Sequence, residues 1–147
     1  MYPARILLVD NYRDALVTWA FFLRTRGYEV ITASDGIAAT QIAMDMQPDL
    51  IIMDLELPGL SGCDAARRIR AALAPAHVPI IATTSDTQPA HLDEAHAVGF
   101  FRLMVKPCDP PRFLREIDRA LSASVTLAGR RPAPAAAVVA AAASHAD

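Results

Sequence analysis

Apolar and polar positions along this chain follow two periods in turn. Short, nearly unbroken apolar runs occur at Arg5 to Val9 (RILLV), Val30 to Ala33 (VITA), Leu50 to Met53 (LIIM), Val78 to Ala82 (VPIIA) and Leu103 to Val105 (LMV). The first, third and fourth lack the apolar and polar alternation of a half-exposed strand, so they predict strands covered on both faces, as in a parallel sheet. Between the runs, Arg13 to Arg26, Ile37 to Met46, Cys63 to Leu73, Ala90 to Val98 and Pro111 to Ser122 carry apolar residues three and four apart. Leu16, Trp19, Ala20 and Leu23 form one such stripe, and Phe113, Leu114, Ile117 and Leu121 another, which predicts helices that bury one face. The breakers agree: Gly27 follows the first helix, Pro48 the second, Pro75 the third and Gly99 the fourth, each where a helix would stop. Five β-then-α units predict an α/β fold with a doubly wound parallel sheet.

That architecture locates a site before any motif is considered, because open α/β sheets bind ligands beyond the carboxyl ends of their strands. The strand ends carry Asp10 and Asn11, then Asp54, then Thr83, Thr84 and Ser85, and finally Lys106. Two carboxylates and an amide oxygen form a suitable partial shell for Mg²⁺, which takes one or two protein carboxylates and keeps several waters. A lysine ammonium and a threonine hydroxyl suit the oxygens of a phosphoryl group, and a carboxylate can accept that group as an acyl phosphate.

The motifs ILLVDN (Ile6 to Asn11), IIMDLELPGLSG (Ile51 to Gly62), PIIATTSD (Pro79 to Asp86) and VGFFRLMVKP (Val98 to Pro107) occur in order at these strand ends. With them, residues 5 to about 122 resemble the receiver domain of two-component response regulators, the CheY-like family; the spacing is specific because four motifs must agree. The resemblance implies a flavodoxin-like sheet of order 2-1-3-4-5 with five helices. It implies Asp54 as phosphoryl acceptor, Thr84 and Lys106 as its conserved hydroxyl and lysine, and Mg²⁺ held by Asp10, Asn11, Asp54 and the Glu56 backbone carbonyl. A cis Lys106-Pro107 peptide is also implied, as are a histidine kinase or histidine phosphotransfer protein as donor and a downstream protein target. Output would pass through the face of the fourth helix, fifth strand and fifth helix, and a homodimer on phosphorylation is compatible with it.

Four positions depart from or tune the family pattern. Asn11 stands where most receivers carry a second aspartate, which removes one formal charge from the metal site. Leu103 stands where an aromatic side chain usually swings inward with the threonine, so either Phe101, two residues earlier on a period-two strand, or a loop shift is expected to take part in the switch with Thr84. Glu56 and Asp86 occupy the flanking positions that tune acyl phosphate hydrolysis in receivers.

Composition narrows the partners. At 147 residues one domain is expected, a receiver over 1–124, followed by an Ala/Pro-rich tail over 125–147 that is expected to be disordered, with a partner-binding helix as the alternative. The tail inflates the 53% hydrophobic content without supplying core. With no effector domain expected, output would go through a separate protein. The 14 basic and 16 acidic residues make no field for a nucleic acid or an anionic membrane. The four-residue apolar run before Asp10 is too short for a signal peptide or membrane span, so a cytoplasmic protein is expected, and the resemblance implies a bacterial one. Cys63 and Cys108 lie outside any metal spacing and read as silent thiols. His77, His91, His96 and His145 read as solvated, Arg67, Arg68 and Arg70 as a solvated helix face, Trp19 as core, and Gly59 and Gly62 as loop glycines. The leading function is a phosphorylation-dependent switch that does no metabolic catalysis. Two alternatives stand: a degenerate receiver acting as a phosphorylation-independent interaction module, motivated by Asn11 and Leu103, and an aspartate-nucleophile phosphatase, which Asp54-Leu55-Glu56 mimics only loosely.

Overall fold

The three runs richest in isoleucine and leucine become the three central strands. In this computed structural model, residues 2–74 and 76–124 are described; the Pro75 helix stop and the tail lie outside them. The elements are β1 (Arg5–Val9), α1 (Arg13–Thr25), β2 (Glu29–Ala33), α2 (Gly36–Met46), β3 (Leu50–Asp54), α3 (Gly62–Leu73), β4 (Ile80–Thr84), α4 (Pro89–Val98), β5 (Arg102–Val105) and α5 (Pro110–Ser124). They form one sheet of order β2-β1-β3-β4-β5, parallel throughout. Every residue of β1, β3 and β4 is buried, as continuous apolar runs require when helices cover both faces.

Period two sorts the side chains into two cores. Leu7 and Val9 of β1 and Ile51 and Met53 of β3 meet Ala39, Ile42 and Ala43 of α2 and Ala65 and Ile69 of α3. Ile6, Leu8, Leu50 and Ile52 point the other way, to Leu16, Ala20 and Leu23 of α1 and Phe113 and Ile117 of α5. Trp19 is half-buried at the edge of this second core, with its ring edge-on to Phe22 at 5.6 Å and to Phe113 at 4.7 Å.

The position of β4 corrects the sequence reading, which set the strand at Val78 to Ala82. Proline has no N–H to donate, and Pro79 enters only as an acceptor, its carbonyl taking the Ile51 N–H at 3.1 Å. Pairing proper starts at Ile51 with Ile80 and runs through Asp54 with Thr83, then to Val105 with Thr84 on the other side. A backbone ladder is indifferent to side-chain polarity, so β3 and β4 continue past their last apolar residue into Asp54 and Thr84.

At the opposite end of the sheet Arg5, only 6% exposed, is paired through Nε with Glu29 at 2.8 Å and donates from Nη1 to the Met46 carbonyl at 2.7 Å. Arg5→Ala should strand that carbonyl and cost about 2 kcal/mol, the scale of a lost buried hydrogen bond to a charged group. A urea titration showing less than a quarter of that loss would mean the pair contributes nothing net.

Candidate functional site

Three strands deliver the charged centre. Asp10 follows β1, and its N–H extends the ladder to the Ala33 carbonyl at 3.1 Å. Its Oδ1 accepts from the Tyr12 N–H at 2.8 Å, which ties the carboxylate to the turn entering α1. Asp54 is the last residue of β3 and is 3% exposed; its Oδ1 accepts from the Glu56 N–H at 3.0 Å. Lys106 follows β5, with its N–H bonded to the Thr84 carbonyl at 2.8 Å and its peptide to Pro107 cis. The Lys106 Nζ lies 3.2 Å from Asp10 Oδ2 and 3.3 Å from Asp54 Oδ2, so one ammonium bridges two buried carboxylates.

Burial and charge oppose one another here. Burial pushes the Asp54 carboxyl above its ordinary value, against the Glu56 N–H and the Lys106 charge that hold it down. Burial also works against the Lys106 ammonium, but the Asp54 and Asp10 carboxylates outweigh it and its pKa lies above the ordinary lysine value. A buried carboxylate beside a lysine fixed on it has its counter-charge already in place.

Asp10, Asp54 and Lys106 are therefore brought together, and the remaining sequence candidates fall around them. Thr84, 1% exposed, donates from Oγ1 to Glu56 Oε2 at 2.7 Å. Thr83 lines a cavity of about 500 Å³ between α1 and α5, with Trp19, Lys106 and Cys108 in its wall. Asn11 is exposed beside Asp10. Leu103 is half-buried on β5, opposite Ala82. Phe101 is not brought to the site. It precedes β5, its N–H bonds to the Ile80 carbonyl at the amino end of β4, and its ring packs on the α1/α5 core. Met104 packs on that same core, so alternation within β5 turns Leu103 to the other face, and Phe101 does not share the face of Leu103.

Among the described residues no three His, Cys, Asp or Glu side chains converge as a metal cage. The donor set that does converge, two carboxylates with Asn11 adjoining, is all oxygen, and it fits a cation that keeps most of its waters, as Mg²⁺ does.

Several expectations need correction. The Glu56 side chain was read only as a tuning charge, yet it also accepts from the Ser85 N–H at 2.7 Å and the Ser85 hydroxyl at 2.9 Å. His91 is exposed, as expected, and is also paired through Nδ1 with the Asp86 carboxylate. The Gln88 N–H, and after it the His91 ring, hold Asp86 below the ordinary carboxylate value. Arg70 is half-buried and donates to the Gly99 carbonyl at 2.9 Å, whereas Arg67 does lie on an exposed face, paired with Asp64. Gly62 is the buried first residue of α3, not a loop glycine; Gly59, with φ +72°, is one. The Cys63 thiol is pushed up to about 11 by burial and by Glu94, and burial raises Cys108 as well, so neither is poised to ionise.

A doubly wound sheet whose carboxyl rim carries two buried carboxylates bridged by a lysine defines the class of α/β domains with an acidic rim site. The response regulator receiver domain family matches residues 6–118, and the chain belongs to that family. It is 27% identical over 115 residues to the polar-differentiation response regulator DivK of Brucella anthropi, covering 78% of this chain and 94% of DivK. It is 33% identical over 117 residues to the CAI-1 autoinducer sensor kinase/phosphatase CqsS of Vibrio cholerae; that match covers 79% of this chain but only 17% of CqsS. Among solved structures, the receiver domain of a sensor histidine kinase from Pseudomonas aeruginosa PAO1, described with a magnesium ion coordinated in its active site cleft, superposes with TM-score 0.76 at 32% identity, over 82% of this chain and 98% of that one. The chain is thus a receiver domain of two-component signalling. No helix among the described residues is long and apolar enough to cross a membrane.

Proposed function

We propose that Asp54 accepts a phosphoryl group from a histidine kinase or a histidine phosphotransfer protein, and that the phosphorylated domain signals through protein-protein contacts. The observation that carries this is the single Lys106 ammonium held within 3.3 Å of both the Asp54 and the Asp10 carboxylates. Asp54 Oδ2 would attack the phosphorus of phosphohistidine; the O–P bond forms as the P–N bond breaks, and the departing imidazole nitrogen keeps the electron pair and takes a proton from solvent. Lys106 then exchanges its bond to Asp54 Oδ2 for one to a phosphoryl oxygen, so its charge stays paired throughout. The Thr84 hydroxyl, with one proton to donate, serves a second phosphoryl oxygen. Mg²⁺, which would be held by Asp10, Asn11, Asp54 and the Glu56 carbonyl, supplies further neutralisation of the transferred charge. The added charge and acceptor oxygens shift a two-state surface. This is chemistry on the domain itself rather than turnover of a metabolite, and it belongs in a cytoplasm.

Incubation with acetyl phosphate and Mg²⁺, followed by intact-mass measurement, should show one added phosphoryl group that is absent from Asp54→Asn. A wild-type mass that never changes would favour the second reading, a phosphorylation-independent interaction module, to which Asn11 and Leu103 point. If Asn11 contributes to the metal site, Asn11→Asp should tighten Mg²⁺ binding by about tenfold in calorimetry, since ligand charge count sets affinity at such sites. Equal affinities would remove Asn11 from it.

A further inference from the structure

We propose that the Glu56 carboxylate is a latch that holds the end of β4 in the unphosphorylated arrangement by occupying the donors a phosphoryl group on Asp54 would use. This rests on the reading of Asp54 as acceptor and names the regulation of that site. Glu56 is the second residue past Asp54, its own N–H donates to Asp54 Oδ1, and its side chain crosses from the end of β3 to the end of β4. There one oxygen takes the Thr84 hydroxyl at 2.7 Å, and the other takes both the Ser85 N–H at 2.7 Å and the Ser85 hydroxyl at 2.9 Å. The loop backs the arrangement up, because the Asp86 N–H donates to Thr84 Oγ1 at 3.0 Å. A carboxylate with three donors converging on it makes charge-assisted hydrogen bonds, the strong class.

The Thr84 hydroxyl has a single proton, so it cannot serve Glu56 and a phosphoryl oxygen at once. The two acceptors define two states of one element. In the latched state Thr84 and Ser85 are held on Glu56. In the other, Thr84 has turned to the phosphoryl group and the Glu56 anion is left without those donors, near a second anion. An anion that binds only the second state has its apparent affinity reduced by the fraction of molecules latched. Glu56 is thus a positioning residue, which acts on the site through Thr84.

Beryllofluoride, a phosphoryl analogue that binds an aspartate oxygen, is the probe. It would be titrated into the full chain at saturating Mg²⁺ and followed by the Ser85 amide resonance. Relative to wild type, Glu56→Ala should reach half-saturation at about tenfold lower beryllofluoride, and Glu56→Gln, which keeps one acceptor and loses the charge, at about threefold lower. In a Thr84→Ala background the gain from Glu56→Ala should fall below twofold, because the hydroxyl that the latch withholds is gone. Equal midpoints for wild type and Glu56→Ala would overturn the latch and leave the acceptor reading intact. A tenfold gain that persists in the Thr84→Ala background would also overturn it, since Glu56 would then act only by repelling the incoming anion. Wild-type protein that shows no response at any concentration would sink the acceptor reading and the latch with it.

Discussion

Asp54→Asn should abolish phosphoryl incorporation and at the same time raise the thermal unfolding midpoint at pH 7. Burial holds the Asp54 carboxyl above the ordinary 3.8, so the folded state binds its proton more tightly than the unfolded chain does. For a carboxylate raised in this way, stability falls as pH climbs from the unfolded value through the folded one. At pH 7 the ionised group is therefore a net cost to the fold, partly relieved by Lys106. Asparagine keeps the shape and an oxygen for the Glu56 N–H while removing the charge, and Lys106 retains Asp10 at 3.2 Å. The gain should be about 1 kcal/mol, or a few degrees. It should grow as pH rises from about 4 and level off once Asp54 is ionised. A variant less stable than wild type at pH 7 would mean that the Lys106 pair outweighs the burial cost. Lys106 has the opposite sign: with its pKa raised, its contribution is fully present at neutral pH and is lost only as alkaline pH passes through that raised value.

Gly62→Ala should be the most damaging small substitution near the site. A Cβ at Gly62 would stand 2.3 Å from the Asp54 carbonyl oxygen and 2.7 Å from the Leu55 Cα. Both are backbone atoms, so no side chain can rotate away. The start of α3 is further tied to β3 by the Gly62 N–H donating to the Leu55 carbonyl at 3.1 Å. Relief requires moving α3 or the end of β3, and the latter carries Asp54. A cost of about 3 kcal/mol or more is expected, along with loss of acetyl phosphate reactivity in whatever folded fraction remains. Gly59→Ala is the control: φ is +72° with nothing within 4 Å of the added Cβ, so only the left-handed backbone penalty applies, about 1 kcal/mol. Urea midpoints that rank the two alike would refute the steric argument.

Much of the site was legible in the sequence because it depends on strand ends. Once RILLV, LIIM and the Ile80-Ile81 run are recognised as strands buried on both faces, Asp10, Asp54 and Lys106 must lie at one rim, whatever the details of packing. Resemblance then added the order of the strands and the cis peptide at Lys106. Strand limits were less legible at β4, where the reading followed apolar side chains while the ladder to Asp54 and Val105 carries the strand on through Thr84. Phe101 was misplaced for a related reason. Period two holds only within a strand, and Phe101 lies at a bend just before β5.

By itself, the sequence determined the α/β class, the faces of β1 and β3, and which charged residues share a rim, because burial periodicity and parallel winding are local rules repeated five times. Tertiary structure alone decided which distant partner a polar side chain takes. Glu56 and Thr84 are 28 residues apart, Arg70 and Gly99 are 29 apart, and the clash facing Gly62 comes from a neighbouring element. Such pairings depend on how far one element overhangs the next, a distance of a few ångströms that no periodicity within an element records.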